Sequence, residues 1–162
     1  MSAGSLRLTS APTVETAMLI RSPVHEVFEA FADPAITSRF WFTHSTGRLA
    51  PGAEVRWTWQ MYDLTTPVRV KEFEQDARML LEWGAEPAVT TFELSFAPQE
   101  DDTTFVNITE TGYSEETGDE VVAHALGSMG GFTLVLAALK AYLEHKIVLA
   151  VVADRFPDGK PA

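Results

Sequence analysis

The residue types that usually carry catalysis occur in this sequence without the spacing that catalysis needs. Histidine occurs at four separated positions, His25, His44, His124 and His145. No pair has the His-x-x-x-His spacing that places two zinc ligands on one helix face, and the Gly-x-Ser-x-Gly elbow of serine hydrolases is absent. The 162 residues include no cysteine, which excludes disulfides, thiolate metal sites and thiol nucleophiles. The sequence therefore predicts no catalytic residue, metal site or cofactor.

A glycine-rich run, Gly127-Ser128-Met129-Gly130-Gly131, superficially resembles a phosphate-binding loop. It lacks a preceding strand and a Gly-Lys-Ser/Thr ending, and it falls inside a helical pattern, so we reject a nucleotide site. Each helical glycine costs about 1 kcal/mol relative to alanine. In projection the glycines share one helix face with small residues such as Ala123 and Ala138. Such a face leaves room for close packing, for a helix kink or for a ligand.

Aromatic side chains are the strongest candidates for a binding site. In residues 54–61 every second residue is apolar, so Trp57 and Trp59 share one face of a half-buried strand. Tryptophan and phenylalanine are large and rigid, and they either fill a core or form the wall of a pocket. We expect a ligand-binding cavity lined by Trp41, Trp57, Trp59, Met61, Trp83, Phe92, Met129 and Phe132.

A few polar residues among these aromatic side chains would orient a bound ligand. The candidates are His44, Tyr62, Glu110 and His124, and for each the alternative is exposure or a hydrogen bond within the fold. An empty, dry cavity of about 300 Å³ would cost on the order of 7 kcal/mol. This is comparable to the whole stability of a domain, about 5–15 kcal/mol. We therefore expect any cavity to be small, wet or occupied.

The net charge limits the class of partner. A formal charge of −11 argues against nucleic acid, because binders of phosphate backbones carry clustered Lys and Arg. Acidic residues cluster between residues 99 and 120 without a basic residue, which indicates either a solvated loop region or a docking surface for a basic partner. We expect neither a signal peptide nor an uncharged stretch of membrane-spanning length. We expect a cytoplasmic protein without membrane contact.

Short strands and one long helix must position these side chains. Periodicity predicts helices over residues 24–31 and 34–40, and strands over residues 14–20, 54–61, 66–73, 79–83, 91–97 and 104–110. From residue 121 to residue 143 an apolar stripe predicts a long helix, with the positions Val122, Ala125, Met129, Phe132, Leu136, Leu139 and Leu143. Because this helix is apolar nearly all round, the strands before it must cover it.

The chain reads as one domain over residues 13–153, between a flexible leader (residues 1–12) and a tail (residues 154–162). The segment Ile147–Val152 is apolar on every side. Bare in water it would be prone to aggregation. We therefore expect it to be buried, either against its own domain or in a homodimer contact.

The order of these elements resembles the SRPBCC or START-like superfamily, and within it the AHSA-like family, homologues of the activator of a heat-shock chaperone ATPase. The resemblance is carried by residues 22–31, Asp33-Pro34, Phe40-Trp41-Phe42, Pro51-Gly52, residues 80–84, Thr111-Gly112-Tyr113 and residues 131–144. It implies an α+β helix-grip fold. In this fold a curved antiparallel sheet of six or seven strands wraps around a long C-terminal helix, with two short helices after the first strand and a cavity between sheet and helix.

Three functions follow from this interpretation. The leading hypothesis is a non-enzymatic module that binds a small apolar, aromatic or lipid-like molecule in the cavity. The alternative is a protein-interaction or co-chaperone-like module that uses the acidic surface between residues 99 and 120. The second alternative is a cyclase- or hydrolase-type enzyme, as found elsewhere in the superfamily, that would need acid–base groups such as Glu110, His124 and His44 within reach of one another.

Overall fold

An open antiparallel sheet, packed against one long helix, forms the framework of the chain. The computed structural model describes residues 5–161. Within them the strands are β1 (Val14–Ile20), β2 (His44–Ser45), β3 (Glu54–Trp59), β4 (Leu64–Glu74), β5 (Arg78–Trp83), β6 (Thr90–Gln99) and β7 (Thr103–Thr111). The helices are α1 (Val24–Ala32), α2 (Pro34–Thr37), α3 (Gly118–His145) and α4 (Val151–Asp154), with short 3-10 turns at Gln60–Tyr62 and Glu100–Asp102.

The sheet runs in the order β1-β7-β6-β5-β4-β3-β2, and every neighbouring pair is antiparallel. Strands β2 to β6 each pair with the next strand in the chain, whereas β1 pairs with β7, from Val14 opposite Glu110 to Ile20 opposite Thr104. The predicted α+β helix-grip fold is thereby confirmed. The alternation of buried and exposed residues places Phe92, Leu94 and Phe96 of β6 on the face that meets the helices.

Helix α3 packs one side against this face. Phe132, Leu136 and Leu139 of the predicted stripe are buried, but Met129 is 42% exposed. The buried side also includes Val135 and Ala138, so its centre is rotated by roughly 50° from the predicted stripe, at about 100° per residue. Within the described residues, α3 is the one helix whose length and apolar composition would suffice to cross a membrane, so the expectation that no uncharged stretch reaches that length is wrong. In this structure α3 packs against the sheet.

Partly buried polar contacts hold the C-terminal half of α3 on β1. Lys140 Nζ donates to the carbonyl oxygen of Leu19 at 2.8 Å and to Glu144 Oε2 at 2.7 Å. The backbone N–H of Arg21 donates to the same carboxylate at 3.0 Å. Burial alone would raise the pKa of Glu144, but the hydrogen bonds from Arg21 and Lys140 hold it below its ordinary value. The carboxylate therefore stays ionised and clamps the helix end to the sheet.

The chain after α3 departs from the prediction of burial. Lys146, in the left-handed conformation at φ 56°, ends the helix. Ile147, Val148 and Leu149 are 52%, 55% and 38% exposed, so the expectation that this part packs on its own domain is wrong. Only the end of the segment, Val151 and Val152, packs against the core. The homodimer contact stays a prediction.

The predicted leader begins outside the described residues, because residues 1–4 are not among them. Leu6 lies against the first turn of α3, where its backbone N–H donates to the Asp119 carboxylate at 3.3 Å. A Cβ at Gly118 would collide with the Leu6 carbonyl oxygen, so glycine permits this close approach. Flexibility of the leader stays a prediction.

Shortening a buried side chain of α3 tests how much the packing of this helix against the sheet stabilises the protein. Leu136 is fully buried, so Leu136→Ala is expected to lower the free energy of unfolding by about 2–5 kcal/mol. Leu126 on the same helix is 68% exposed. Leu126→Ala is therefore expected to change the free energy of unfolding by less than about 0.5 kcal/mol. Urea denaturation of both variants makes the comparison, and equal losses would contradict this packing.

The exposed segment at Ile147–Leu149 predicts self-association. We expect light scattering after size exclusion to show a dimer that dissociates on dilution. Val148→Asp should yield the monomer, because a buried unpaired charge is strongly unfavourable at an interface. Leu126→Asp, at a position on α3 that is also exposed, is the matched control and should leave the dimer intact. A monomer at all concentrations would refute the dimer.

Candidate ligand-binding cleft

A cleft of about 410 Å³ opens between one side of α3 and the tryptophan-bearing strands. Its rim on the third side is formed by the segment after α3. The lining is largely apolar, and no Asp or Glu of the described residues belongs to it. The lining residues are Trp41, Trp59, Tyr62, Leu64, Trp83, Ala123, His124, Gly127, Ser128, Gly131, Phe132, Leu134, Val135, Val152, Arg155, Phe156 and Pro161.

The tryptophan cluster, defined as Trp41, Trp57, Trp59 and Trp83, forms the sheet side of the cleft. Alternation along β3 points Trp57 and Trp59 inward, while Trp83 ends β5 and Trp41 follows α2. The ring centroids of Trp41 and Trp57 lie 4.9 Å apart, and those of Trp59 and Trp83 lie 6.4 Å apart. Trp57 is 1% exposed and supports the others from behind. The cluster is therefore a rigid wall with three indoles at the cleft surface.

Helix α3 meets this wall through Phe132. Its ring stacks on Trp83 with centroids 5.6 Å apart and an interplanar angle of 21°. Phe92, fully buried behind both, lies 5.5 Å from Phe132 and 4.7 Å from Trp83. This contact closes the floor of the cleft.

The helical glycines leave space on the cleft side of α3. A Cβ built on Gly127, Gly130 or Gly131 would have none of the described residues' atoms within 4 Å, beyond those of its own helical surroundings. Gly127 and Gly131 line the cleft, whereas Gly130 does not. The glycines therefore serve no close packing contact with the described residues, and α3 is one uninterrupted helix from Gly118 to His145. Among close packing, a kink and room for a ligand, this arrangement favours room for a ligand.

The structure brings only part of the predicted site together. Trp41, Trp59, Trp83, Phe132, Tyr62 and His124 line the cleft, while Trp57 and Phe92 lie behind its surface. Met61 was predicted to line the cleft but does not, because the 3-10 turn after Trp59 removes it from the strand face and it packs on the core instead. Met129 does not line it either, because the rotation of α3 leaves this side chain exposed. His44 also lies outside the cleft, exposed on the short edge strand β2.

Glu110 is a buried carboxylate behind the cleft rather than a lining group. It is fully buried, following Val106 and Ile108 on the inward face of β7. Its Oε2 accepts from the Trp83 indole N–H at 2.8 Å and from Thr90 Oγ1 at 2.7 Å. Its Oε1 accepts from the Tyr113 hydroxyl at 2.7 Å. Buried charge is tolerated where hydrogen bonds satisfy it, and these donors orient the Trp83 indole.

The Tyr113 phenol is held protonated by its surroundings. Burial is the largest cause of its raised pKa, and the hydrogen bond that the hydroxyl donates to Glu110 raises the pKa further. Its ring stands edge-on to His124, with centroids 4.9 Å apart. Tyr113 thus connects the buried carboxylate to the helix that carries the cleft.

His124 is the ionisable group that α3 contributes to the cleft. Its Nδ1 is hydrogen-bonded to a carboxylate oxygen of Glu115. Burial alone would raise the pKa of Glu115, but the hydrogen bond from His124 holds it below its ordinary value. Because an ionised carboxylate only accepts, Nδ1 of His124 carries the proton in this pair. Glu115 therefore fixes the orientation of the imidazole at the cleft.

The predicted acid–base trio is not assembled. His44 is exposed on the edge strand, and Glu110 is closed off by its own donors. Within residues 5–161 no group of three or more His, Cys, Asp or Glu side chains is arranged to hold a metal ion. The arrangement can hold an apolar molecule and present it with a few polar groups.

Sequence reasoning missed the rim of the cleft. Val152, Arg155, Phe156 and Pro161 line it, although residues 154–162 were assigned to a tail. No periodicity marks these residues, so only the aromatic Phe156 offered a signal. Its ring lies 6.0 Å from Tyr62, whose hydroxyl donates to the Val152 carbonyl oxygen.

A depression of about 550 Å³ on the outward face of the sheet is a weaker candidate. It is lined by cross-strand charges such as Glu54, Arg69 and Glu82. Arg69 lies 3.4 Å from Glu54 and 3.2 Å from Glu82, so these charges satisfy one another. This surface is a solvated face of the sheet.

Removing one donor from Glu110 tests the buried network. Tyr113→Phe leaves the carboxylate less satisfied, so we expect a loss of about 1–3 kcal/mol in the free energy of unfolding. Tyr142→Phe is the matched control, because the Tyr142 ring lies beside Lys146 at the end of α3. Its expected change is below about 0.5 kcal/mol. Similar losses in both variants would contradict the network.

The raised pKa of Tyr113 also predicts an alkaline dependence. The unfolded chain loses this proton near pH about 10, whereas the folded chain keeps it to higher pH. The stabilisation is therefore complete below the ordinary tyrosine pKa and declines as the pH rises toward the folded-state pKa. Urea denaturation between about pH 9 and about pH 11 should show a steeper loss for the native protein than for Tyr113→Phe. Parallel pH profiles would contradict this assignment.

Comparison with known proteins matches residues 21–144 to the family described as activator of Hsp90 ATPase homolog 1-like protein. No curated protein matches the chain. Among solved structures, protein SSP2350 from Staphylococcus saprophyticus is similar with 28% identity and a TM-score of 0.73, over 86% of this chain and 96% of that one.

Two more distant structures share the fold. The Aha1 dimer from Colwellia psychrerythraea has 15% identity and a TM-score of 0.70, over 83% of this chain and 97% of that one. An HSP90 activator from Plasmodium falciparum has 15% identity and a TM-score of 0.64, over 82% and 96%. With the family matched over most of its length and the same fold in these structures, the chain belongs to the activator of Hsp90 ATPase homolog 1-like family.

Proposed function

We propose that the protein binds a small, largely apolar molecule, aromatic or lipid-like, in the cleft between α3 and the tryptophan cluster. The observation that carries the proposal is the glycine-lined side of α3. Gly127 and Gly131 face the cleft with open space where a side chain would stand. A ligand is what this space accommodates.

The energetic cost of these glycines supports the proposal. Each costs about 1 kcal/mol of helix stability relative to alanine. Alanine would fit at either position without touching the described residues, so stability alone would favour it. The cleft of about 410 Å³ is within the range of small-molecule sites, about 300–1,000 Å³. The glycines therefore keep the cleft wide at the expense of helix stability.

The opposite wall supports binding of flat or apolar molecules. Trp41, Trp59 and Trp83 present indoles that are already held by neighbouring rings and, for Trp83, by Glu110. A wall ordered before binding loses little conformational entropy when a ligand arrives. The proposal is one of binding, because the groups considered for acid–base chemistry do not meet in the cleft.

A second candidate is a co-chaperone-like role. The family description and the Plasmodium falciparum activator favour it. The acidic surface between residues 99 and 120 would be the docking surface, although Glu110 is buried and Glu115 is paired with His124. Its exposed remainder includes Glu100, Asp101 and Asp102. Titration calorimetry with a purified Hsp90-class chaperone at low and high salt tests this role, which requires salt-sensitive binding.

Filling the cleft from α3 tests the ligand-binding proposal. The neutral aromatic probe N-phenyl-1-naphthylamine should bind saturably and quench tryptophan fluorescence. Gly131→Leu and Gly127→Leu should weaken this binding at least about tenfold, because the new side chain occupies the cleft. Gly130→Leu is the matched control, since it makes the same change on the same helix outside the cleft.

All three variants should be as stable as the native protein or more so, because leucine is a better helix former than glycine. Thermal unfolding checks that stability. A probe that binds Gly131→Leu as it binds the native protein, or one that never saturates, would refute the proposed site.

A further inference from the structure

We propose that the preferred ligand is an amphipathic carboxylate whose acid group pairs with Arg155 at the rim while its apolar body lies on the tryptophan cluster. This inference rests on the proposed function, because it specifies which apolar molecules the same cleft selects. It concerns a residue in the segment after α3 that the sequence pattern left without a role.

The side chains that line the cleft include bases but, within the described part of the chain, no acid. The chain as a whole carries 23 Asp and Glu against 12 Lys and Arg, for a formal charge of −11, whereas the cleft is lined by Arg155 and His124. Acids stand outside the lining, and besides burial the carboxylates of Asp154 and Asp158 contribute to the raised pKa of Tyr62 at the rim. An anion is therefore repelled less at the lining than on the acidic surface around it.

Of these two bases, Arg155 is the one with a charge to offer. His124 already faces the Glu115 carboxylate, which matches any charge that it carries. Two arginines of the sheet are likewise matched, Arg69 by Glu82 and Arg78 by Glu93. Among the described residues Arg155 has no carboxylate within 4.0 Å, although Asp154 precedes it in the chain. Its fork of N–H donors is therefore available to a ligand.

Aromatic contacts hold this guanidinium at the rim. Its Cζ lies 4.4 Å from the centroid of the Phe156 ring, a cation–π geometry. The Phe156 ring in turn lies 6.0 Å from that of Tyr62, whose hydroxyl donates to the Val152 carbonyl oxygen. Burial raises the pKa of Tyr62, so the phenol remains a neutral donor and the segment stays attached. The positive charge is thus positioned beside an apolar wall.

A carboxylate is the anion that this arrangement fits. A planar guanidinium pairs with a planar carboxylate through two parallel hydrogen bonds. Phosphate sites recruit several cations or a set of backbone N–H groups, and this rim offers a single arginine. Most of the remaining lining, including Trp41, Trp59 and Phe132, offers apolar surface to the rest of the molecule.

A matched pair of probes separates this preference from ligand binding itself. Naphthalene-2-carboxylate and its neutral amide, naphthalene-2-carboxamide, have the same shape, and titration calorimetry at pH about 7 and low salt measures both. We expect the acid to bind about tenfold more tightly than the amide, in keeping with a charge-assisted hydrogen bond. Arg155→Gln should reduce the affinity of the acid to that of the amide. Arg155→Lys should keep part of the advantage, because it keeps the charge without the fork.

A control variant completes the test. Arg39→Gln removes an exposed arginine outside the cleft and should leave the preference for the acid unchanged. Equal binding of acid and amide to the native protein overturns this inference and leaves the apolar site standing, whereas binding of neither probe overturns both. A preference that survives Arg155→Gln also overturns the role of Arg155.

Discussion

The stack of Phe132 on Trp83 is the contact through which sheet, helix and cleft constrain one another. Phe132 belongs to the buried side of α3, and Trp83 ends a central strand of the sheet. The stack fixes the rotation of α3 about its axis, which in turn directs Gly127 and Gly131 toward the tryptophan cluster. A rotation that buried Met129 instead would have turned the glycines away and filled the cleft side with larger residues.

Trp83 can serve in this way because its indole is held from behind by a hydrogen bond to the buried Glu110 side chain. Glu110 is fully buried, and an unpaired carboxylate there would be strongly destabilising. Three neutral donors, from Trp83, Thr90 and Tyr113, satisfy it. Since the donors would be left unsatisfied without the carboxylate, the network specifies one orientation of the indole. Hydrophobic packing alone would hold the ring less specifically.

The sequence patterns that predict the fold are those in which burial repeats with a fixed period. Alternation along β3 predicts that Trp57 and Trp59 face inward, and the spacing of Phe132, Leu136 and Leu139 predicts the buried side of α3. These features were predictable because each depends on local geometry repeated over several residues. The resemblance to the family then predicted how sheet and helix are joined.

The parts of the site that escaped prediction depend on single conformations or on distant contacts. Met61 leaves the strand face because one 3-10 turn begins at Gln60, which an alternating pattern cannot reveal. Glu110 appears in sequence as one more acid in an acidic region, and its role depends on Trp83 and Thr90 from other strands. Arg155 lies on a segment without periodicity, whose position is set by Tyr62.

The open form of the cleft follows from the energetics of empty space in a small domain. At about 24 cal/mol per Å³, a sealed and dry void of this size would cost about 10 kcal/mol, a large part of the stability of a domain, about 5–15 kcal/mol. An opening between α3 and the segment after it admits water and removes most of this cost. Water against Trp41, Trp59 and Phe132 finds few hydrogen-bond partners there. Its displacement by an apolar molecule is therefore favourable. The same apolar walls that make a closed cavity too costly thus favour an occupied open one.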